Sequence, residues 1–157
     1  MADFDILVTR FLEAEKTAHV TPRWRSKAHP DFAEAKTFVG VPGSSVLVGV
    51  LAMTAHKVKL PPKYSFSLLL RGKRILGLDV NPGRHHTNLL LPGSSMNVTH
   101  WQRWPKMDAE LDDREQNFQQ WAIAFFKAAN VVPTFRVLSP PQGIQLRLIV
   151  NEDFDRQ

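Results

Sequence analysis

Two adjacent histidines lie in a short polar segment near the middle of the sequence. His85 and His86 follow the turn-forming sequence Asn-Pro-Gly, and Arg84 and Asn88 flank the pair. Histidine exchanges protons near neutral pH, and arginine binds phosphate through paired hydrogen bonds. In a metal-independent ribonuclease or phosphodiesterase, one histidine would take the proton of a 2′-hydroxyl and another would protonate the leaving oxygen. The alternative is a solvated turn, in which histidine and asparagine side chains bond to their own backbone.

A third histidine, His100, lies in the sequence MNVTHWQRW, which alternates like a strand. It is either an acid–base partner of His86 or a half-buried, hydrogen-bonded histidine of the core. Trp101, Arg103 and Trp104 follow it. Two tryptophans with an arginine between them form a platform for stacked bases if they are exposed, and they fill the core if they are buried.

Basic residues are concentrated in the middle of the chain. Between His56 and His86, Asp79 is the only acidic residue. A positive surface of this kind favours RNA, DNA or a nucleotide as the partner. The alternative is that lysine and arginine on edge strands prevent sheets from associating. The residues that we expect in a binding face are Arg84, Asn88, Lys57, Lys59, Arg71, Lys73, Arg74, Trp101 and Arg103.

The sequence at 106–115 is acidic instead. We interpret its carboxylates as part of the first turn of a helix, where they offset the helix dipole. Asp112, with Glu115 three residues later, has the spacing of a capping box. The alternative is a contact surface for a partner protein, formed by residues 108–115 and the exposed part of 101–104, which would make the chain an inhibitor or a structural protein.

The overall composition is that of one globular domain, which we assign to residues 1–157. The chain is 43% hydrophobic, has a formal charge of +5 and contains no cysteine, which excludes disulfides, thiolate zinc sites and a cysteine nucleophile. The N-terminal sequence is not that of a signal peptide, and no stretch is apolar enough to span a membrane, so we expect a cytoplasmic protein.

A metal site made from a loop histidine, His100 and Asp79 lacks a compact ligand spacing, and we predict neither a metal nor a cofactor. The oligomeric state does not follow from the sequence.

Two amphipathic helices are expected. In the first, Phe4, Leu7 and Phe11 recur at helical spacing, and the helix should end near Lys16 or Thr17. The second should begin near 112–115 and end at Asn130. Its apolar stripe has the spacing i, i+3, i+4, i+7 and consists of Phe118, Trp121, Ala122 and Phe125.

Segments rich in β-branched and aromatic residues predict several strands. The most regular lies in 63–80, where Phe66, Leu68 and Leu70 alternate and Gly72-Lys73 has the form of a two-residue hairpin loop. Short turns between successive strands predict an α+β domain, with a curved, mostly antiparallel sheet of five to seven strands and two helices packed on it. The other expected strands are 21–27, 33–41, 46–59, 96–104, 131–138 and 144–150.

The pattern His-x-Thr occurs twice, as His19-Val20-Thr21 and as His85-His86-Thr87. Paired motifs of this form resemble those of the two-histidine phosphoesterases, which hydrolyse cyclic nucleotides and RNA ends. The resemblance implies that His19, Thr21, His85 and Thr87 are catalytic.

A second resemblance covers more of the chain. A strand ending in Leu-x-Leu-Asp, a turn, His-x-Asn and a strand with Thr-His-Trp are similar to a group of uncharacterised small bacterial and phage proteins. The group carries no known reaction, but it implies that His86, Asn88 and His100 belong to one site. We therefore expect a small protein of a phage, mobile element or defence system that engages nucleic acid or a nucleotide through the basic hairpin and residues 81–88. The matching residues are Leu76, Leu78, Asp79, His86, Asn88, Thr99, His100 and Trp101.

Overall fold

The computed structural model describes residues 2–18, 20–58, 63–81 and 98–141. Within these ranges the chain forms two helices, α1 (Ala2–Glu13) and α2 (Phe118–Ala129), and neither has the length and hydrophobicity needed to cross a membrane. The strands are β1 (Thr17–Ala18), β2 (Arg25–Ser26), β3 (Phe32–Gly40), β4 (Val48–His56), β5 (Tyr64–Leu70), β6 (Lys73–Val80), β7 (His100–Arg103) and β8 (Glu110–Leu111).

The eight described strands form one antiparallel sheet. Its order is β1-β3-β4-β5-β6-β7-β8, and β2 also pairs with β3. The predicted α+β architecture is confirmed, and the segments expected at 21–27, 33–41, 46–59 and 96–104 contain the shorter β2, β3, β4 and β7. The sheet has more strands than the expected five to seven because it also includes β1 and β8, two-residue pairings that are too short to leave an alternating pattern in the sequence.

The hairpin of β5 and β6 turns one residue earlier than predicted. Its two central residues are Arg71 and Gly72, with φ values of 50° and 77°, rather than Gly72 and Lys73. Positive φ at both positions matches the right-handed twist of a hairpin, and glycine adopts it without steric cost. The register shifts between Leu68 and Leu69, which accommodates the extra residue on β6.

Both helices pack on one side of the sheet. Phe118 and Phe125 of α2 stack on Phe66 of β5, with ring centroids 5.5 and 5.6 Å apart. Trp101 of β7 stacks on Phe125 in turn. Each large side chain buried in this way stabilises the fold by about 1.5–3 kcal/mol. The predicted stripe of α2 is confirmed, since its buried residues are Phe118, Trp121, Ala122, Phe125, Phe126 and Ala129.

The start of α2 differs from the prediction. The capping box is formed by Asn117, whose side chain accepts the backbone N–H of Gln120 at 2.8 Å, and by Gln120, whose side chain accepts the backbone N–H of Asn117 at 2.9 Å. Asp112 instead accepts hydrogen bonds from Trp101 at 2.9 Å and from Arg114 at 2.6 Å. No acidic residue lies in the first turn of α2. The interpretation of 108–115 as helix-dipole charges is therefore wrong, and β8 occupies part of that segment.

Lys16 lies where the C-terminal ends of the two helices meet. α1 ends at Glu13, earlier than predicted, and Lys16 is 0% exposed. Its ammonium group donates to the carbonyl oxygens of Ala14 and Ala129, both at 2.7 Å, and to that of Leu12 at 3.4 Å. Carbonyls at a helix C-terminus have no partner within the helix, and Lys16 supplies a hydrogen-bond donor at the end of each helix.

The strand predicted at 131–138 is wrong. Val131 forms one isolated parallel bridge with Lys16, and the remainder of the segment contains no strand. Pro133 has no N–H to donate to a ladder, and the Thr134 hydroxyl bonds to the carbonyl of Ala18 at 3.0 Å. The strand predicted at 144–150 lies outside the described residues.

Candidate nucleic-acid interface

The sheet has two different faces, because successive residues of a strand point to opposite sides. One face carries the core and both helices. We call the other the open face, because no helix in the described ranges packs on it. Four of its cross-strand rows concern the site: a first row of Phe38, Val50, Leu69 and Arg74; a second row of Lys36, Ala52, Ser67, Gly77 and Gln102; a third row of Arg25, Glu34, Thr54, Ser65, Asp79 and His100; and a fourth row of Phe32 and His56.

The first row exposes an aromatic ring. Phe38 is 74% exposed although it lies within β3. Together with Val20, Val50 and Leu69 it lines an apolar groove of about 610 Å³. A contiguous apolar surface in contact with water forgoes the free energy of burial, so it indicates a place where a partner binds.

A basic groove continues from the apolar one. Val20 and Lys36 line both grooves. Glu34, the only carboxylate lining the basic groove, is neutralised by Lys36 at 3.1 Å and by Lys27 at 3.5 Å. The groove has a volume of about 550 Å³, and its basic residues are Arg23, Arg25, Lys27 and Lys36.

Arg74 ties three strands together on the open face. Its Nε donates to Ser67 of β5 at 2.9 Å, and its Nη1 donates to Gln102 of β7 at 2.8 Å. Its Nη2 contacts Asp79 Oδ1 at 3.0 Å and the carbonyl oxygen of Phe66 at 3.1 Å. Every nitrogen of the guanidinium group therefore has a partner within the protein.

Gly77 provides the space for this arrangement. A Cβ atom at position 77 would collide with the guanidinium group of Arg74. The Ser65 hydroxyl donates to Asp79 Oδ1 at 2.7 Å. Burial alone would raise the pKa of Asp79, but its contacts with His100, Arg74 and Ser65 outweigh burial and hold that pKa well below its usual range.

His100 is a buried histidine in this network. It is 1% exposed, and its Nδ1 lies 2.6 Å from the carbonyl oxygen of Val98. A carbonyl oxygen only accepts, so Nδ1 carries a hydrogen. Nε2 lies 3.2 Å from Asp79 Oδ2, an ion-pair contact that is not aligned as a hydrogen bond. The carboxylate of Asp79 is the main reason that the pKa of His100 is raised. The carbonyl oxygen at Nδ1 and the carboxylate near Nε2 both favour the protonated form of the ring.

A polar pocket of about 330 Å³ lies at one end of the open face. We call it the end pocket. It opens where β4 ends, β5 begins and β6 ends, and the backbone N–H of Asn81 is bonded to the Thr99 hydroxyl at 2.8 Å. Its lining combines aromatic and hydrogen-bonding residues. Three of them, Ser65, Asp79 and His100, belong to the third row, and the others are Phe32, Thr54, His56, Lys63, Tyr64 and Asn81.

Several residues predicted as a site cannot be placed. Arg84, His85, His86, Asn88 and Lys59 lie outside the described residues, as do His19 and Thr87 of the His-x-Thr motifs. Catalysis by His85 or His86 therefore stays a prediction. Thr21, from the first motif, lines the basic groove. In the described part of the chain, no group of three or more histidine, aspartate or glutamate residues is arranged to hold a metal ion.

The structure separates the basic residues of the predicted hairpin. Arg71 and Lys73 lie at the β5–β6 turn, where the Lys73 ammonium stands over the ring of Phe4 at 5.1 Å. Lys57 follows the far end of β4 and donates to Ser26 at 3.2 Å. A strand of seven residues separates these two ends by about 20 Å. Arg74 belongs to the network described above.

The tryptophans belong mainly to the core. Trp101 is buried, and the Arg103 guanidinium lies over its ring at 5.0 Å. Trp104 packs edge-on against Phe4, and its indole N–H donates to Asp5 at 2.8 Å. Neither side chain lies on the open face with His100, because Trp101 points to the helix face of β7 and Trp104 packs on Phe4 of α1.

Phe38 and the basic groove did not emerge from the sequence patterns above. The signal is the alternation of β3, in which Ala33, Ala35 and Val39 are buried while Lys36 and Phe38 are exposed. Small residues on the buried side and a phenylalanine on the other side reverse the usual pattern, in which the larger apolar residues face the core.

Comparisons with known proteins gave no relative. No family model matches the chain, and no curated protein or solved structure matches it either. The two resemblances described above stay predictions, and the functional argument depends on the open face alone.

Proposed function

We propose that this protein binds single-stranded nucleic acid across the open face of its sheet. The observation that carries the proposal is the exposed ring of Phe38 on the open face of β3, beside Lys36 and the basic groove. Proteins that bind single strands combine aromatic side chains, on which bases stack, with a positive groove that follows the phosphates. The open face provides both features next to each other.

The stacking part of the proposal depends on Phe38. A base stacked on an aromatic side chain contributes about 1–3 kcal/mol, and it does so for every base because each has a π face. Val50 and Leu69 flank the ring on neighbouring strands, so the platform extends over three strands. A duplex hides its base faces, and we therefore expect a preference for single strands.

The electrostatic part depends on the basic groove. Lys27 and Lys36 share Glu34, whereas the described residues show no ion pair for Arg23 or Arg25. These two arginines can bind phosphate without first losing a protein partner. Each phosphate neutralised by a cation releases counterions, so affinity should fall as salt concentration rises.

The wider assignment follows the sequence prediction. We place the protein in the cytoplasm and in a phage, mobile-element or defence setting, with RNA or DNA as its partner. Lys63, which lines the end pocket, would extend the binding face beyond the basic groove, and Arg84 and Asn88 stay predicted members of that face.

Fluorescence anisotropy tests the proposal directly. A labelled single strand of about 12 nucleotides, as RNA and as DNA, is titrated at about 50 mM and about 200 mM salt. Phe38→Ala should weaken binding by about tenfold or more. Lys36→Gln should weaken it less and reduce its salt dependence.

Two surface variants on α2 serve as matched controls. Ile123 is 62% exposed, so Ile123→Ala removes an exposed apolar side chain from the other side of the molecule. Lys127→Gln removes the same charge as Lys36→Gln. Binding that is absent, insensitive to salt or equally weakened by the controls would contradict the proposal.

The same samples also test the ribonuclease alternative. RNA from each binding reaction, kept in EDTA, is run on a denaturing gel. Cleavage that is lost in His86→Ala would make residues 81–88 an active-site segment. Intact RNA in every sample would leave binding as the function and remove the catalytic alternative.

A further inference from the structure

The end pocket has a chemistry different from that of the two grooves. Phe32 and His56 face each other across β3 and β4 and form an edge-to-face aromatic pair with ring centroids 4.8 Å apart. Tyr64 also lines the pocket, but its ring packs on Phe118 of α2. A volume of about 330 Å³ lies at the lower end of the range for small-molecule sites, which suits a ligand of the size of one nucleotide. The aromatic lining favours a flat, conjugated group.

Asp79 lines the pocket but is already engaged by Ser65, Arg74 and His100. The other polar residues of the lining can donate hydrogen bonds, and the Lys63 ammonium can only donate. Because the carboxylate is paired within the protein, Lys63 favours a ligand that carries acceptors and negative charge.

We propose that the end pocket binds a single phosphate-bearing nucleotide, with its base against the aromatic lining and its phosphate at Lys63. The choice of ligand class rests on the proposed function, because the pocket opens on the same face as the two grooves. The pocket would hold one nucleotide of a bound strand or a free mononucleotide. The network of Arg74 keeps its floor rigid, which lowers the entropic cost of recognition.

Isothermal titration calorimetry on the full chain tests the inference with three probes, which are uridine monophosphate, uridine and inorganic phosphate. Thr54→Phe fills the pocket from near the end of β4 and should abolish binding of the monophosphate. Lys63→Gln should weaken it by about tenfold, as expected for one charge-assisted hydrogen bond. Ile123→Ala, on α2 and outside the pocket, should leave it unchanged. Circular dichroism of each variant checks that the fold is retained.

The three probes separate the possible outcomes. Tight binding of the monophosphate, with weak binding of uridine and phosphate, supports the nucleotide pocket. Equal binding of inorganic phosphate overturns the base contact, and unchanged monophosphate binding in Thr54→Phe overturns the location. If oligonucleotides bind through Phe38 while no mononucleotide binds, the pocket inference fails and the proposed function stands. If the monophosphate binds but oligonucleotides do not, the pocket stands and the proposed function fails.

Discussion

Replacing Lys16 with methionine should destabilise the protein by about 3 kcal/mol. The substitution keeps most of the apolar stem but removes the ammonium group. The carbonyl oxygens of Ala14 and Ala129 then lose hydrogen bonds of 2.7 Å each. The third contact, to Leu12 at 3.4 Å, is long and contributes little.

The magnitude follows from two opposing effects. Hydrogen bonds from a charged donor contribute about 1.5–3 kcal/mol each, and the ends of two helices add about 0.3–1 kcal/mol each through their dipoles. Burial opposes them, because it lowers the pKa of Lys16 to about 8, which corresponds to a penalty of about 3 kcal/mol. Methionine has no charge to desolvate, so this penalty disappears in the variant. The two carbonyls that lose their donor destabilise the fold by about 1–3 kcal/mol each. The loss of the hydrogen bonds outweighs the relief from desolvation.

Urea denaturation at pH 7 measures the difference, with Lys127→Met as a control that removes an exposed lysine from α2. The control should change the free energy of unfolding by less than about 0.5 kcal/mol. A second signature is the pH dependence. The unfolded state binds more protons than the folded state between pH 8 and the usual lysine value of 10.5, so the stability of the wild type should rise with pH in that window. Lys16→Met should lack that rise. A variant as stable as the wild type, with the same pH profile, would refute this account of how the two helices are joined.

Two further predictions concern the network on the open face. Gly77→Ala should cost about 1–3 kcal/mol, because the new methyl group displaces the guanidinium of Arg74 from its partners. In an Arg74→Met background the same change should cost almost nothing, and an equal cost in both backgrounds would show that the glycine serves another purpose. The pair of His100 and Asp79 should stabilise the fold most between about pH 4 and 6.5, because the pKa of His100 is raised above 6.5 and that of Asp79 is held below 3.8. The stability difference between the wild type and His100→Gln should shrink as the pH rises through the folded-state pKa of His100, and a difference that grows above pH 7 would contradict the ion pair.

The sequence by itself determined the elements whose burial follows from local periodicity. Phe118, Trp121 and Phe125 recur at helical spacing, and Phe66 and Leu68 alternate along a strand, so the side that each element buries could be read directly. The α+β class followed from the order of these elements and the short turns between them. The exact positions of the capping box and of the hairpin turn were not predicted, because for each of them the sequence offers several suitable positions within a few residues.

The candidate site was decided by tertiary structure. Asp79 and His100 are brought together by the register of β6 and β7, and Arg74 reaches both strands beside β6 only because Gly77 leaves space for it. The exposure of Phe38 depends on which side of the sheet the two helices cover, and nothing within β3 specifies that choice. Local sequence patterns indicate which side of a helix or strand faces the core and which side faces water. Contacts between distant segments, as when the ammonium of Lys16 meets a carbonyl 113 residues away, depend on how those elements pack together.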